Sequence, residues 1–156
     1  MTLDATARRA NVKDSIKKWA VDNIETTTRP VTFDKWLSAP NIAGGVAHKW
    51  VSLKLGPIQR DYLGEIKLDI YCCVRNDPEG FKLAQLTDNV MAQLSDTDRT
   101  DGMKRIVFYQ SAVAIADWVI KGALIVQDVK ESGDLEAADA TKYAILSCRL
   151  RTAMKI

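Results

Sequence analysis

Histidine and cysteine, on which much nucleophilic and metal-based chemistry depends, are scarce in this sequence. Its 156 residues contain one histidine, His48, and three cysteines. A Ser-His-Asp or Cys-His triad would have to use His48, and the chain has no Gly-x-Ser-x-Gly motif. It also has no Cys-x-x-Cys pair, the commonest beginning of a zinc site. The sequence therefore predicts no catalytic residue, no metal and no other cofactor, and so no enzyme.

The cysteines do not form a disulfide framework, because their number is odd and the chain is long enough to fold without one. Cys72 and Cys73 are adjacent, so on a regular strand they point to opposite faces and cannot share a metal ion. We expect all three, including Cys148, to be free thiols in a reducing compartment.

Long apolar runs and a strong charge excess are also absent. No segment approaches the roughly 18 apolar residues of a transmembrane helix, and Met1-Thr2-Leu3-Asp4 does not resemble a signal peptide. The 22 basic residues against 20 acidic ones leave a net charge of +2, which is too small to indicate a nucleic-acid-binding domain. We expect a protein made in a cytoplasm and without membrane contact.

Two short motifs come close to known binding loops without matching them. Gly44 and Gly45 precede Lys49, but the spacing of a phosphate-binding loop is missing. The three aspartates between residues 96 and 101 lack the glycine and the final glutamate of a calcium loop. A glycine-rich surface loop and a solvated turn are the expected structures.

The chain begins with an amphipathic pattern that predicts a helix over residues 4–26. Val12, Ile16 and Trp19 recur at helical spacing, and the basic residues lie mostly off this stripe. Three threonines followed by Arg29-Pro30 end the helix, because β-branched residues and proline disfavour α geometry.

Alternation of apolar and polar residues predicts the strands in the first half of the chain. It is weak over residues 30–37, clearer over 49–55 and strict over 62–74. The last of these segments predicts a long strand with one buried face and one largely solvated face. Asp77 and Pro78 then have the residue types of an N-cap and a first helical position, and they predict a helix that runs to about residue 95.

Three more strands are predicted in the second half, over residues 103–110, 117–129 and 142–153. The segment 117–129 is apolar on both faces, with Trp118 assigned to a core position, and we expect it to be central in the sheet or covered on both sides. The stretch 111–116 between two of these strands is ambiguous.

The predicted order is α-β-β-β-α-β-β-β, with several links of hairpin length. This order indicates an α+β fold, a mainly antiparallel sheet of about five to six strands with two helices packed on it. The length is that of one domain, spanning residues 1–156.

Three features are candidates for contact with other proteins. Trp36 and Trp50 flank the glycine-rich loop, and tryptophan is enriched at interfaces, although burial in the chain's own core fits equally well. Glu65 shares a strand face with Lys67 and Asp69, a pattern typical of a salt-bridged solvated face or a subunit interface.

The order of elements also carries a family resemblance. An amphipathic helix is followed by the extended stretch Arg29-Pro30-Val31-Thr32-Phe33 and a long loop. Then come Glu65-Ile66-Lys67-Leu68-Asp69-Ile70-Tyr71, the turn Arg75-Asn76-Asp77-Pro78, a helix from Gly80 to Leu94, and two strands joined by an acidic loop. Over most of its length this layout resembles the tail terminator (tail completion or neck) proteins of tailed bacteriophages.

The resemblance implies a structural virion protein of the tail or neck, assembled in the host cytoplasm. Such a protein forms a homo-oligomeric ring, usually a hexamer, that caps the tail tube, ends its polymerisation and provides the head-docking surface. Its implied partners are other copies of itself, the tail tube protein, the head-tail connector or neck proteins, and DNA that passes through the channel without sequence-specific contacts.

Candidate contact residues follow from the residue patterns, since the family has no fixed site to transfer. Loops 38–48 and 130–140 are candidates for contacting the tube or the connector. We expect replacement of Trp50 and Arg60 to weaken assembly and to leave the monomer folded. The candidates for the oligomer or partner interface are Trp36, His48, Trp50, Arg60, Asp61 and Glu65.

Other functions remain open at this point. Another head-closure or tail-completion protein of the same virion would have a similar sequence, and a small α+β ligand-binding module is a second class. A hydrolase or nuclease is disfavoured by the single histidine and by the absence of clustered carboxylates.

Overall fold

The computed structural model describes residues 8–34, 37–59, 64–96 and 102–152, which form helices, long strands and short strand pairs. The helices are α1 (Arg8–Asn23) and α2 (Phe81–Leu94), and a 3-10 turn spans Ile115–Asp117. The strands are β1 (Val31–Phe33), β2 (Asn41–Ile42), β3 (Gly45–Val46), β4 (Lys49–Gln59), β5 (Gly64–Val74), β6 (Ser95–Asp96), β7 (Gly102–Met103), β8 (Arg105–Gln110), β9 (Val119–Glu131), β10 (Leu135–Glu136) and β11 (Lys142–Thr152).

The main sheet confirms the predicted fold class and element order. Its strands lie in the order β1-β4-β5-β11-β9-β8, and β10 adds a short pair with β11. All pairs in it are antiparallel except β1 with β4. Without the short strands the order along the chain is α-β-β-β-α-β-β-β, an α+β arrangement in which both helices lie on one face of the sheet.

The centre of the sheet is the long pairing of β5 with β11. It runs without interruption from Gly64 opposite Thr152 to Val74 opposite Lys142. Alternate residues point to the helices, and full burial of Ile66, Leu68 and Ile70 confirms the predicted buried face of β5. The expectation of a largely solvated opposite face is wrong at one end, where Tyr71 and Cys73 are buried, and residues 62–63 of the predicted strand lie outside the described residues.

Within the described residues the first helix is shorter than predicted, since it ends at Asn23. The predicted apolar stripe is confirmed. Val12, Ile16 and Ala20 are fully buried against the sheet, and Trp19 is nearly so. Lys18, beside the apolar stripe, forms a salt bridge with Asp22 of the same helix at 2.6 Å. The prediction that residues 4–7 are helical lies outside the described residues.

The second helix begins at Phe81, three residues later than the sequence predicts. Gly80 has φ of +81°, a left-handed conformation that suits glycine and separates the preceding turn from the helix. Asp77 still acts as a cap, since its carboxylate accepts a hydrogen bond from the Leu83 backbone N–H at 2.9 Å. Pro78 lies in the turn between them and is not a helical residue.

The expectation that segment 117–129 is central or covered on both sides is wrong. It begins at residue 119 as β9, and β9 has only β8 between it and one edge of the sheet. Leu124 and Val126 of β9 pack on the core. Ile120 and Ile125 of the same strand are exposed to solvent. Trp118 lies before the strand and outside the main core.

A second, smaller core covers part of the sheet face that lies away from the helices, here called the outer face. The segment 37–47, which includes the β2–β3 hairpin, packs there over Trp50, Tyr71 and Cys73. It covers one end of the outer face and leaves the other end open.

Neither helix in the described part of the chain has the length and apolar character that a bilayer crossing requires.

Candidate interaction surfaces

The most exposed apolar segment of the described chain joins β8 to β9. We call residues 111–121 the apolar arm. Its side chains are unusually exposed for their type: Val113 by 71%, Ile115 by 67%, Ile120 by 64% and Val119 by 52%. An apolar group of this density at one end of a molecule is typical of a surface that binds another protein.

The arm is held in place by its own polar contacts. The Trp118 indole Nε1–H donates to the Ala112 carbonyl at 2.7 Å, and the Trp118 ring packs on Tyr109 with centroids 5.8 Å apart. Ser111 Oγ donates to Asp14 at 2.6 Å and lies 3.0 Å from Asn11 Oδ1, which ties the base of the arm to α1. The apolar side chains therefore project from an ordered support.

Helix α1 also covers one end of the free edge of β8, next to the arm. Ser15 Oγ accepts a hydrogen bond from the Tyr109 backbone N–H at 2.9 Å and lies 3.4 Å from the Tyr109 carbonyl oxygen. Asn11 Oδ1 accepts from the Ser111 N–H at 3.3 Å. Since an open strand edge is a template for pairing with another chain, these contacts disfavour association by strand addition at this edge.

The opposite end of the sheet carries a second exposed apolar pair, Phe81 at the start of α2 and Leu135 in β10. Two contacts show that the start of α2 and β10 are adjacent. Lys142, at the start of β11, donates from Nζ to the Pro78 carbonyl at 2.6 Å. Gly80 lies so close to the residue before Leu135 that a Cβ added at Gly80 would be 3.1 Å from Asp134 Oδ2. The exposed charged side chains around them are Glu79, Lys82, Asp134 and Glu136. We call Phe81, Leu135 and these four residues the acidic end.

The open part of the outer face is a charged groove of about 400 Å³. Cross-strand neighbours line it in rows, and Lys67 lies opposite Arg149, which in turn lies opposite Asp128. The groove is lined by Lys67, Asp69, Asp128, Lys130, Ser147, Cys148 and Arg149.

Arg149 organises the charges of this groove. Its guanidinium pairs with the Asp128 carboxylate, with Nε 2.8 Å from Oδ2, and its Nη1 lies 3.5 Å from Glu65 Oε1. The hydrogen bond from Arg149 lowers the pKa of Asp128, and the same bond raises the pKa of Arg149. Two acids therefore hold the Arg149 cation beside Lys67, and the face is balanced rather than strongly basic.

A bulge in β4 opens this face next to Lys67. The pairing of β4 with β5 shifts register between Leu55 and Ile58. At Gly56 a Cβ would lie 3.1 Å from the Lys67 carbonyl oxygen and 3.2 Å from its Cβ. A side chain at position 56 would crowd the backbone of Lys67, and glycine avoids this contact.

The structure separates the interface residues that the sequence suggests. Trp36, Arg60 and Asp61 lie outside the described residues. His48 is exposed, and its ring lies 3.5 Å from the Asn76 amide at the end of the sheet near α2. Glu65 lies in the open face beside Arg149.

Trp50 requires a correction. It is fully buried in the second core, so it offers no surface to a partner, and the alternative of burial in the chain's own core is the correct one. Its replacement would leave a large cavity, so we expect the change to destabilise the monomer and not to remove a contact with a partner.

Reactive side chains among the described residues are shielded. Cys72, Cys73 and Cys148 are all buried and free. Burial raises the pKa of Cys72 and of Cys148 to about 12, and it raises that of Cys73 further, so the thiolate form needed for nucleophilic attack is disfavoured. Within the described ranges no cluster of three or more metal-ligating side chains occurs.

Sequence reasoning missed the apolar arm. The periodicity of residues 111–116 is ambiguous between helix and strand, so it predicts no element there. The available signal is chemical: five apolar residues in succession, from 112 to 116, occupy a link between strands where glycine, asparagine or aspartate is usual.

Comparisons with known proteins give the fold and no family. The sequence matches no protein-family model, and no curated protein matches it. The chain is similar to the solved structure of a protein whose name carries no functional description, with a TM-score of 0.55 and 12% identity, over 96% of this chain and 95% of the other. At this identity the likeness establishes a shared fold alone.

Proposed function

We propose that this protein is a structural assembly subunit, a tail-terminator-like ring protein of a tailed bacteriophage. Six copies would form a ring that caps the tail tube, ends its polymerisation and presents a docking surface to the head. The layout of the chain supports this proposal through the resemblance described above. The single observation that carries it is the ordered, exposed apolar arm.

The arm favours assembly because its exposure is costly in an isolated chain. Val113, Ile115, Val119 and Ile120 are each more than half exposed. Moving an apolar side chain from water into a contact stabilises the complex by roughly 1.5–3 kcal/mol when burial is complete. A chain that keeps four such residues in water gains most by placing them against another protein.

The groups available for chemistry support a non-catalytic role. Burial disfavours the thiolate forms of the cysteines. His48 lies on the loop before β4, away from the charged groove around Arg149. The charges of the groove neutralise one another through Arg149. We infer a protein that works through its surfaces.

A closed ring needs two different surfaces on each copy, related head to tail. The arm and the acidic end are two distinct apolar surfaces of this kind. The remaining exposed faces are then available to the tail tube protein and to the neck proteins. Duplex DNA would pass through the channel without sequence-specific contacts, and the near-neutral charge of +2 is compatible with that passage.

Microscopy and light scattering of the purified full-length chain test this proposal. We expect negative-stain images of rings with a central channel and a mass of about six 17.3 kDa chains. A chain that stays monomeric at all accessible concentrations would contradict the proposal, as would turnover of a small-molecule substrate.

The charged groove around Arg149 favours a second candidate function, that of a small α+β module that binds a polar ligand. Its volume of about 400 Å³ is within the range of small-molecule sites, although its lining is more charged than is usual. Native mass spectrometry separates the two functions, because a bound small molecule on a monomer supports the module and an empty ring supports the terminator. Another neck or head-closure protein would also form a ring, and it would bind the connector instead of the tail tube.

A further inference from the structure

We propose that a small cavity on the outer face, beside Ser52, binds a small oxyanion of the size of acetate or phosphate. This inference goes beyond the ring proposed above and does not rest on it. It starts from three buried polar groups that the fold leaves without hydrogen-bond partners.

In the described part of the chain, three buried side-chain polar atoms have no hydrogen-bond partner within the protein: Thr32 Oγ1, Trp50 Nε1 and Ser52 Oγ. Trp50 and Ser52 are almost completely buried. An unpaired buried donor or acceptor costs about 1–3 kcal/mol, and buried polar groups in native proteins are nearly always paired. A partner from outside the chain would remove this cost.

The register of the sheet places the three groups side by side. Thr32 on β1 lies opposite Ser52 on β4, and Trp50 precedes Ser52 by two residues in the same strand. Val51 and Leu53, which alternate with them in β4, belong to the main core. Since successive strand residues point to opposite faces and neighbours in register share a face, all three groups lie on the outer face.

A cavity of about 100 Å³ adjoins this cluster. It is lined by Asp34, Ser52, Lys54 and Tyr71. Asp34 and Lys54 are exposed, so the cavity opens to solvent on their side. A water molecule occupies about 30 Å³ in the liquid, so the cavity suits a group of a few non-hydrogen atoms and not a nucleotide or a peptide segment.

The polar groups around the cavity favour an occupant that accepts hydrogen bonds. The Trp50 indole N–H can only donate, and the hydroxyls of Thr32 and Ser52 each have a proton to donate. Burial raises the pKa of Tyr71, so its phenol keeps its proton at neutral pH. Carboxylate and phosphate oxygens form strong hydrogen bonds to such donors, whereas the indole N–H and the Lys54 ammonium disfavour a metal cation.

The charged side chains around the cavity are compatible with an anion. Lys54 lines it, and the Asp34 carboxylate is 2.8 Å from Lys13 Nζ, which offsets its charge. Asp69 lies opposite Lys54 in the next strand and lines the charged groove around Arg149. Two cations therefore stand against two acids, and the buried donors, rather than an excess of positive charge, select the ligand.

Anion titrations of the purified full-length chain test this assignment. Acetate and phosphate are added at an ionic strength matched with sodium chloride, and the indole N–H signal of Trp50 is followed by nitrogen-15 nuclear magnetic resonance. We expect saturable shifts with acetate or phosphate and none with chloride. Acetamide, which has the shape of acetate without its charge, should bind far more weakly.

Two substitutions remove the buried hydroxyls. Ser52→Ala and Thr32→Val should each weaken anion binding about tenfold or more, the usual effect of losing one hydrogen bond to a charged group. Without anion neither should destabilise the chain, because each removes a hydroxyl that has no partner within it. Ser147→Ala, in the charged groove of the same face, is the matched control and should bind like the unmodified chain. Urea midpoints check that each variant folds.

The outcomes separate the possible occupants. Absence of saturable shifts in the unmodified chain would overturn the inference, and ordered water would then be the only partner of the buried hydroxyls. Undiminished binding by Ser52→Ala, or loss of binding in Ser147→Ala, would locate the anion elsewhere and overturn it too. Equal shifts with acetamide would contradict the anionic class of the ligand.

The same samples keep this inference apart from the proposed function. Light scattering reports the oligomeric state, and the titration reports the anion. A monomeric chain that binds the anion through Ser52 contradicts the ring alone, and a ring that shows no anion response contradicts the anion site alone.

Discussion

Trp50 lies between the outer face of the sheet and the segment that precedes it in the chain. Its side chain is fully buried with Ala47, Tyr71 and Cys73, and Ile42 packs against the group. The main core does not include it, so the hairpin segment is held on the sheet by this second core, whose largest fully buried side chain is Trp50. The consequences of its loss can therefore be predicted from packing.

We expect Trp50→Ala to lower the free energy of unfolding by about 3–5 kcal/mol, the usual cost of removing a large buried aromatic side chain. Urea unfolding followed by circular dichroism measures the change. Val46→Ala, on the exposed strand of the same hairpin, is the control and should cost far less. Equal midpoints for the two variants would mean that the hairpin does not depend on Trp50.

Arg149 controls the ionisation of Asp128. Because the folded-state pKa of Asp128 is lowered, the stabilisation from this pair is present above the unfolded value of about 3.9 and is lost as the pH falls through the folded value. We expect Arg149→Gln to raise the pKa of Asp128 towards its ordinary range. Carbon-13 titration of the carboxyl group measures this, with Arg151→Gln as control, and an unchanged titration curve would contradict the pairing.

At the scale of elements, helix α1 both builds the core and covers a strand edge. The core function follows from its apolar stripe, which the sequence displays openly. The edge function depends on two buried polar residues of the same helix, Asn11 and Ser15, whose partners lie about a hundred positions away in β8 and the arm. No local pattern indicates such partners.

We expect Ser15→Ala to cost about 1 kcal/mol, because it leaves the half-buried Tyr109 backbone N–H without its acceptor. Thermal unfolding measures the loss. Ser38→Ala, at an exposed loop position, is the matched control. The variant should also aggregate more readily, since the edge of β8 becomes available to other chains, and a variant as stable and soluble as the control would argue against edge coverage.

At the scale of the whole molecule, stability should be graded across the sheet. Strands β5 and β11 have partners on both sides over most of their length and form the middle of the core. Strand β1 contributes only three residues at one edge. Local opening requires less free energy where fewer contacts are broken.

We expect hydrogen exchange to be slowest for amides of β5 and β11 and faster for those of β1 and of the arm. Amide exchange followed by nuclear magnetic resonance measures the gradient. Assembly should add protection at the arm and at the acidic end but not at the exposed face around Val21. Protection that is uniform over the sheet, or a gradient in the opposite sense, would contradict this order.

The sequence by itself determined the α+β class, the order of the main elements and most of the core, since these follow from short-range periodicity. The alternation over residues 64–74 and the stripe of Val12 and Ile16 could be read directly, because burial of one face imposes its period on the chain. Free, unreactive cysteines were also expected, and their burial agrees with that reading.

Only the tertiary structure decided which apolar residues are covered. Trp50 was a candidate for contact or burial and lies beneath the segment that precedes it, whereas Ile120 belongs to a segment expected to be covered and projects into solvent. Coverage depends on strand order and on what packs over each face, and those are set by pairings between residues far apart in the chain. For the same physical reason the apolar arm and the acidic end became visible as two surfaces only once the sheet had placed them at opposite ends.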